Sequence, residues 1–417
     1  MNATHKDVII AGGGPAGLML GLLLARAGVE VEVWEKHADY LRDFRGDTVH
    51  ASTIRLLDEL GLGEGFAALP QSELGNFTVP RPDGEGPDDI LADFDRLKPP
   101  YDHIAMVPQW DFLDFLTEHA QREPTFSLRM ETEFVEVIRE GDRCVGARWR
   151  AADGTVGETR SALLVGCDGR SSRVREQAGL HPVEYEVPFD TWWFRLPRLA
   201  DERSMPPALV PIFRPGELLL TLVRTDYLQV AYFTDKGADA RLRAEGLERF
   251  RARVAELRPD FADRVDALTS MDDVHLLDVR LNRLPRWHRE GLLCIGDAAH
   301  AMSPAGGVGI NLAIQDAVAT ARLLAKPLLT GALTERDLAR VQRRRMWPTK
   351  VLQAGQRVLQ QVIFVRTLDG SRPGPPQIFR LAVRHIPPLR KLPALAIAIG
   401  PRPEPAPTFA RRPAGVA

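Results

Sequence analysis

Hydrophobic and polar positions change their period several times along the chain, and each change marks an element. The stretch "KDVIIAGGGPAGLMLGLLLARAGVEVEVWEK" opens with the β-branched run Val8 to Ile10, breaks at Gly12, Gly14 and Gly17, and stays apolar to about Gly28. Apolar residues all round predict a buried helix there. Val29 to Trp34 then alternate with period two, which predicts a second strand closing on Glu35. Between Phe126 and Val165, "FVEVI", "CVGARWR" and "RSALLV" are separated by "REGD" and "AADGT", predicting strands joined by tight turns. From Glu184 to Val279, "VPFDTWWFRLPR", "GELLLTLVRT" and "YLQVAYFTD" alternate again, broken at "RPGE" and "TD". A second sheet is expected here, with about Asn76 to Pro99 adding a strand or loop. Beyond Arg345 the pattern is helical and then proline-rich, which reads as a loosely packed tail. No internal repeat is present.

The first of these segments has the order strand, Gly-x-Gly-x-x-Gly, helix, strand, acid, that of a dinucleotide-binding βαβ unit. Gly12 permits the tight turn, Gly14 lets the backbone approach a pyrophosphate, and Gly17 lets helix and strand pack closely. The helix N-terminus, opening at Pro15 and Ala16, supplies amides beyond the proline and partial positive charge. Glu35, next to Lys36, follows Gly17 by 35 − 17 = 18 residues, the place of an acid that binds a ribose hydroxyl. A carboxylate there opposes a 2′-phosphate, so the bound nucleotide is FAD or NAD rather than NADP. Two further apolar runs stop at a Gly and Asp pair. "SALLVGCDGRSSRVRE" delivers Asp168, and "GLLCIGDAAHAMSPAGGVGINLAIQDAVATARLL" delivers Gly296 and Asp297, a loop through Pro304, and a helix from about Val308. Asp297 then stands at the carboxyl end of a parallel strand, where a polyhydroxyl chain is its natural partner. The amides from Gly306 to Asn311 offer a positive helix start to a flavin ring or pyrophosphate.

The motifs "GGGPAG", "CDG" and "GDAAHAMSPAGGVGIN", in that order, resemble those of the single-component flavoprotein aromatic hydroxylases related to para-hydroxybenzoate hydroxylase, over Val8 to about Leu324. The resemblance implies an α/β fold: a Rossmann-like FAD-binding domain (residues 1–75, 100–180 and 279–345), an inserted β-sheet substrate domain (76–99 and 181–278), and a helical, proline-rich C-terminal region (346–417). It implies that Asp297 binds the ribityl chain of FAD and that Asp168 lies near the pyrophosphate and the nicotinamide path. It also implies that Arg45 binds a phosphate, and that Gln109 touches the cofactor at a helix start. Gly296, Pro304, Gly307, Val308, Gly309, Ile310 and Asn311 would border the flavin.

The implied activity is that of a monooxygenase. NAD(P)H reduces FAD, O₂ adds to give a C4a-hydroperoxide, and the distal oxygen passes to an electron-rich aromatic carbon. The backbone at Pro304, Gly306 and Gly307 would face the peroxide. Asp47 and His50 are candidates for lining the pocket, and His300 for a place near the flavin; a structural hydrogen-bonding role suits each equally. Phe194, Leu220, Tyr232 and Phe233 in the insert favour a bulky polycyclic or indolic substrate. No second Gly-x-Gly-x-x-Gly follows a strand, so NAD(P)H is expected to dock transiently in a surface groove. An epoxidase or prenyl reductase is an alternative on the same fold. A halogenase fits less well: in "WWFRLP" the tryptophans are adjacent, and no lysine falls between Arg42 and Leu97. On alternating geometry Trp192 and Trp193 face opposite ways, one to the pocket and one to the core. A flavin sensor without turnover is the reading from another class.

Composition changes this picture little. A chain of 417 residues with 44% hydrophobic and 26% charged residues is ordinary globular material for two or three domains. Cys144, Cys167 and Cys294 have no metal-like spacing and read as buried thiols in a reducing compartment, with no metal site. No signal-peptide succession and no apolar run near the ~20 residues of a membrane span is present. A cytoplasmic monomer or homodimer is expected. Net charge is −2, but from Arg343 onward 14 Lys or Arg stand against 2 Asp or Glu, a local excess of 14 − 2 = +12. A basic tail wrapping an acidic body is the favoured reading, with peripheral membrane contact the sharper alternative. The charge comes with no nucleic-acid recognition motif.

Overall fold

The computed structural model describes residues 4–41, 48–81, 85–199, 202, 208–224 and 226–413. Its larger sheet has eight strands, six of them in the order His288–Arg289, Leu292–Cys294, Val156–Gly166, Thr4–Ala11, Val31–Trp34 and Phe126–Arg129, with two more branching from Val156–Gly166. From Leu292–Cys294 to Phe126–Arg129 neighbouring strands run parallel. The helix Pro15–Arg26 crosses between the first two sequence strands, and its Leu18, Leu20, Leu22, Leu23 and Leu24 have no exposed surface. It is buried because the sheet covers one side, and helices Gln109–Gln121 and Gly309–Leu329 cover the others. Val156–Gly166 has three neighbours: Thr4–Ala11 pairs parallel with it from Thr159 to Gly166, and it also pairs antiparallel with Arg143–Ala151 at its start and parallel with Leu292–Cys294 at its end. Thus the expected turns-and-strands segment is a meander growing out of the parallel sheet, with Thr132–Glu140 outermost.

The second sheet has five antiparallel strands, in the order Leu209–Arg214, Glu217–Val223, Tyr227–Asp235, Phe189–Pro197 and His275–Leu277. Period-two alternation splits it into two apolar faces. Trp192, Phe194, Leu219 and Tyr232 pack under helix Leu247–Leu257 through Phe250 and Val254. Phe189, Leu218, Phe233, Trp193 and Leu220 face the other way and meet Ala305. The two tryptophans therefore do point apart. Phe194 and Tyr232, however, are core residues beneath a helix, not pocket residues; only Leu220 and Phe233 of the four expected ones lie on the inner face. A hairpin, Asn76–Val79 with Asp89–Asp93, forms at the expected extra segment.

The expectation of a loosely packed tail is corrected. After helices Glu335–Leu359, Gln377–His385 and Lys391–Ala398, the chain is pinned at Glu404. Glu404 is 2% exposed and accepts from Arg322 at 2.6 Å and Arg344 at 2.6 Å. Glu59 Oε2 accepts from the Ala406 amide at 2.7 Å, and Arg26 donates to the Ala410 carbonyl at 3.0 Å. Arg380 and Arg384 both bond the buried Asp89. Burial alone would raise that carboxyl, but the two arginines hold it below its ordinary range. The tail does wrap the body, by specific ion pairs. Cys144 and Cys294 are buried and Cys167 is half-buried, all as free thiols. No described helix is long and apolar enough to cross a membrane.

Candidate functional site

Three turns at the carboxyl edge of the parallel sheet converge because glycine lets them. A Cβ on Gly12, at φ +108°, would stand 2.4 Å from the carbonyl oxygen of Cys167, and one on Gly17 would stand 2.0 Å from the Gly12 oxygen. These two glycines bring the first turn against the Cys167–Asp168 turn and the helix against both. A Cβ on Gly14 meets nothing within 4 Å, so its backbone faces open space. Gly296 is wedged between Ala16 and Ala313, its would-be Cβ 3.3 and 3.2 Å from theirs. Asp297 consequently sits at the starts of helices Pro15–Arg26 and Gly309–Leu329 together.

Both helices begin without a side-chain cap and without an acid in the first turn. Their leading amides are therefore left for a ligand, in a field that favours negative charge. Asp297 is one-third exposed, with Arg170 Nη2 at 3.9 Å from its Oδ2. Amides for phosphates and a carboxylate for hydroxyls is the donor and acceptor set a flavin dinucleotide needs, and the open space over Gly14 admits its backbone.

The other expected residues divide by what their side chains already hold. Glu35 is buried, its two oxygens accepting from the Gly13 amide at 3.0 Å and the His37 amide at 3.0 Å. It orders the glycine turn. Lys36 is exposed. Asp168 accepts from Ser172 Oγ at 2.5 Å and from the Val174 amide at 3.1 Å, capping helix Arg173–Gln177; burial pushes its carboxyl up against those bonds. Asn311 is likewise committed inside the protein: its Oδ1 accepts from the His50 amide at 2.9 Å and Thr53 Oγ1 at 2.8 Å, and its Nδ2 donates to the Thr48 carbonyl at 3.0 Å. Asp168 and Asn311 can thus face a ligand only through backbone. Gln109 is the first residue of its helix, half-buried, after strand Ile104–Met106 that pairs with Thr48–Val49. Arg45 and Asp47 lie outside the described residues.

The loop Pro304 to Gly307 turns on a bond from the Gly307 amide to the Pro304 carbonyl, 3.0 Å. Pro304 is half-buried, Gly306 is exposed, and both glycines have positive φ. A methyl on Gly307 would stand 2.4 Å from Thr48 Oγ1 and 3.5 Å from His50 Nε2, so the loop lies directly on that strand end. Val308, Gly309 and Ile310 follow as the uncapped helix start. His50 is 1% exposed, with Nδ1 2.8 Å from the carbonyl of Ile397. Burial pushes its pKa down to about 4, against that one bond. Its Nε2 has no partner, and neither have Thr191 Oγ1 and Trp193 Nε1 on the inner sheet face.

Sequence reasoning missed the supports of this loop. Gln356 donates to the Ser303 and Ala305 carbonyls at 2.8 and 2.9 Å and accepts from the Ser303 amide at 3.2 Å. Gln353 donates to the Asn282 and Ala301 carbonyls at 2.7 and 3.3 Å. Asp316 accepts from the Gly296 amide at 3.2 Å, Arg345 Nε at 2.8 Å and His300 Nε2 at 2.5 Å. Burial would raise Asp316, but His300 and Arg345 outweigh it and hold the carboxyl low. His300, expected near the flavin, is instead turned into Asp316 and against Trp287, ring centroids 5.0 Å apart. A signal did exist: the polar residues Arg345, Thr349, Gln353, Gln356 and Gln360 recur at helical spacing.

Turns, uncapped helix starts and an acid arranged in this way define a flavin-dinucleotide oxidoreductase, with a second sheet meeting the loop at Ala305. The chain belongs to the family described as FAD binding domain, which matches residues 5–354, and it is an FAD-dependent monooxygenase. It is 37% identical to the 6-methylpretetramide 4-monooxygenase of Streptomyces rimosus over 82% of this chain and 81% of that protein. It is 32% identical to the 12-dehydrotetracycline 5-monooxygenase/anhydrotetracycline 6-monooxygenase of Streptomyces rimosus subsp. rimosus, over 75% of this chain and 61% of the longer relative. The p-nitrophenol 4-monooxygenase of Pseudomonas putida shares the fold at 20% identity, with a TM-score of 0.76 covering 96% of this chain and 100% of that one.

Proposed function

We propose that the chain hydroxylates a fused-ring phenolic substrate of the aromatic polyketide kind, taking hydride from NAD(P)H and oxygen from O₂. The observation that carries this is the junction at Gly296, where two uncapped helix starts meet at Asp297, followed by a loop whose Ala305 packs on the aromatic face of the second sheet. The two relatives named for tetracycline-type intermediates support the substrate class. In this reading residues 1–75, 100–180 and 279–345 hold the cofactor, and 76–99 with 181–278 hold the substrate.

When bound, FAD supplies the hydride acceptance and oxygen activation that side chains lack. The chain's own residues bind, orient and enclose. Gly14, Ala16 and Gly17 would present amides to the pyrophosphate, Gly12 and Pro15 would shape the turn that presents them, Glu35 would stand beside a ribose, and Asp297 would accept from the ribityl hydroxyls. Pro304 to Ile310 present backbone to the ring, a role in which Gly306 and Gly307 leave no side chain in the way. Trp193, Leu220 and Phe233 exclude water from the opposite side, where oxygen transfer competes with wasteful decay.

The test has two readouts. Asp297→Ala loses a charged acceptor worth ~1.5–3 kcal/mol per bond, so FAD affinity should fall at least about tenfold with unchanged circular dichroism. Wild-type enzyme given ¹⁸O₂, NAD(P)H and tricyclic or tetracyclic phenols should place one ¹⁸O in the product. Halogenated product, a reduced double bond, or no labelled product from any phenol defeats the hydroxylase reading.

A further inference from the structure

We propose that His50 and Trp193 form the polar end of the aromatic pocket, where His50 Nε2 accepts a hydrogen bond from a phenolic hydroxyl and Trp193 Nε1 donates to a carbonyl oxygen of the same planar substrate. This rests on the hydroxylase reading above and adds what the pocket recognises.

Two buried atoms start the argument. His50 Nε2 and Trp193 Nε1 are both shielded from solvent and have no partner. Buried polar groups are nearly always bonded, so an orphan pair at the edge of a ligand site points to the ligand. Their chemistry is fixed. The Ile397 carbonyl 2.8 Å from His50 Nδ1 can only accept, so Nδ1 carries the proton and Nε2 presents a lone pair. The indole nitrogen can only donate.

Both residues pack into one neighbourhood. Trp193 is shared by two apolar clusters. One holds Ala51 and Ile397, the neighbour and the bonding partner of His50; the other holds Ala305, two residues before Gly307. A methyl on Gly307 would reach within 3.5 Å of His50 Nε2, so the glycine backbone lies beside that nitrogen. Leu220 belongs to both clusters and provides an apolar floor. An acceptor and a donor over an apolar, aromatic floor fit a flat skeleton carrying a hydroxyl and a carbonyl.

The hydrogen bond needs no proton transfer. With His50 pushed down to about 4 by burial and a phenol near ~10, full transfer is disfavoured by about six powers of ten. The hydroxyl keeps its proton and no bond is made or broken. Polarising the O–H toward Nε2 raises electron density on the ring carbons ortho and para to it, those that accept oxygen. His50 is in this sense a catalytic residue, and Trp193 orients.

The test is equilibrium binding to FAD-loaded protein at about pH 6, where phenol and imidazole are both neutral. The probes are 2-hydroxyanthraquinone, its methyl ether, and 2-hydroxyanthracene, which lacks carbonyls. Wild type should prefer the phenol to the ether by about tenfold, and the quinone to the anthracene by a similar factor. His50→Asn keeps a donor for Ile397 but removes the acceptor, and should bring the phenol-to-ether ratio close to one. His50→Gln puts an oxygen near the place of Nε2 and should restore part of it. Trp193→Phe should erase only the quinone preference. An undiminished phenol preference in His50→Asn, or no discrimination by wild type, overturns the proposal. Flavin content and circular dichroism screen each variant for folding. Intact discrimination without ¹⁸O in any product would instead overturn the hydroxylase reading, leaving a polyphenol-binding site.

Discussion

His50 shows how one buried ring can be read by pH alone. Its pKa is about 4 in the fold and 6.5 when unfolded, so folding favours the neutral form. The unfolded chain therefore binds the extra proton between those values, and stability is complete above about 6.5 and lost as pH falls toward about 4. The shift, 6.5 − 4, corresponds to about 3 kcal/mol. Urea unfolding at pH 7 and pH 4.5 should show this loss in wild type and a clearly smaller one in His50→Asn; equal losses would contradict the buried, neutral assignment. Asp316 does not confuse the measurement. Its carboxyl is held low, so its contribution is present above the ordinary carboxylate range and disappears only in stronger acid. At this scale the sequence displayed which residues stand at the site, but not what they hold. Asp168 and Asn311 were visible as motif positions, and only three dimensions reveal that their side chains bond Ser172, Val174, Thr48, His50 and Thr53.

The long helix Glu335–Leu359 carries a stripe in which Arg345, Thr349, Gln353 and Gln356 are buried, continued by Gln360. Buried polar residues at helical spacing seek partners, and here Gln353 and Gln356 clamp the 301–305 loop while Arg345 holds Asp316. Gln356→Met keeps the volume but leaves two carbonyls and one amide of that loop without partners. Even with partial rescue by water this should cost about 2 kcal/mol, seen as a lower denaturation midpoint and faster proteolysis at residues 304–307. An unchanged midpoint would mean the loop holds itself. The strands teach the complementary point. Period two in "TWWFRLP" and "YLQVAYF" correctly separates two faces, yet it does not say which one a helix covers. That choice is made by Leu247–Leu257, whose Phe250 and Val254 claim the face of Phe194 and Tyr232. The βαβ unit was legible because its glycines, apolar helix and acid are local in sequence, whereas the loop clamps join residues about fifty positions apart.

Across the whole molecule the tail and the cofactor turn are one electrostatic structure. Glu404 bonds Arg322 and Arg344 and lies 3.5 Å from Arg345 Nη1; Arg345 bonds Asp316; and Asp316 bonds the Gly296 amide, one residue before Asp297. Composition had shown only a basic excess after Arg343, not that a single acid within it anchors the tail. Removing one member of a buried pair leaves an uncompensated charge and typically costs 3–5 kcal/mol. Glu404→Ala should therefore lower stability by about 3 kcal/mol, expose residues near 400 to proteolysis, and weaken FAD several-fold by loosening Asp316. Glu59→Ala provides the contrast. It removes the acceptor of the Ala406 amide and the partner of Arg411, but touches no residue between Glu404 and Gly296. Tail release should then appear in proteolysis of both variants, while the loss of FAD affinity, measured by fluorescence titration, appears only in Glu404→Ala. Equal FAD affinity in both would show that the tail stabilises the fold without supporting the cofactor turn, because the charge chain from Glu404 to Gly296 would then transmit nothing to Asp297.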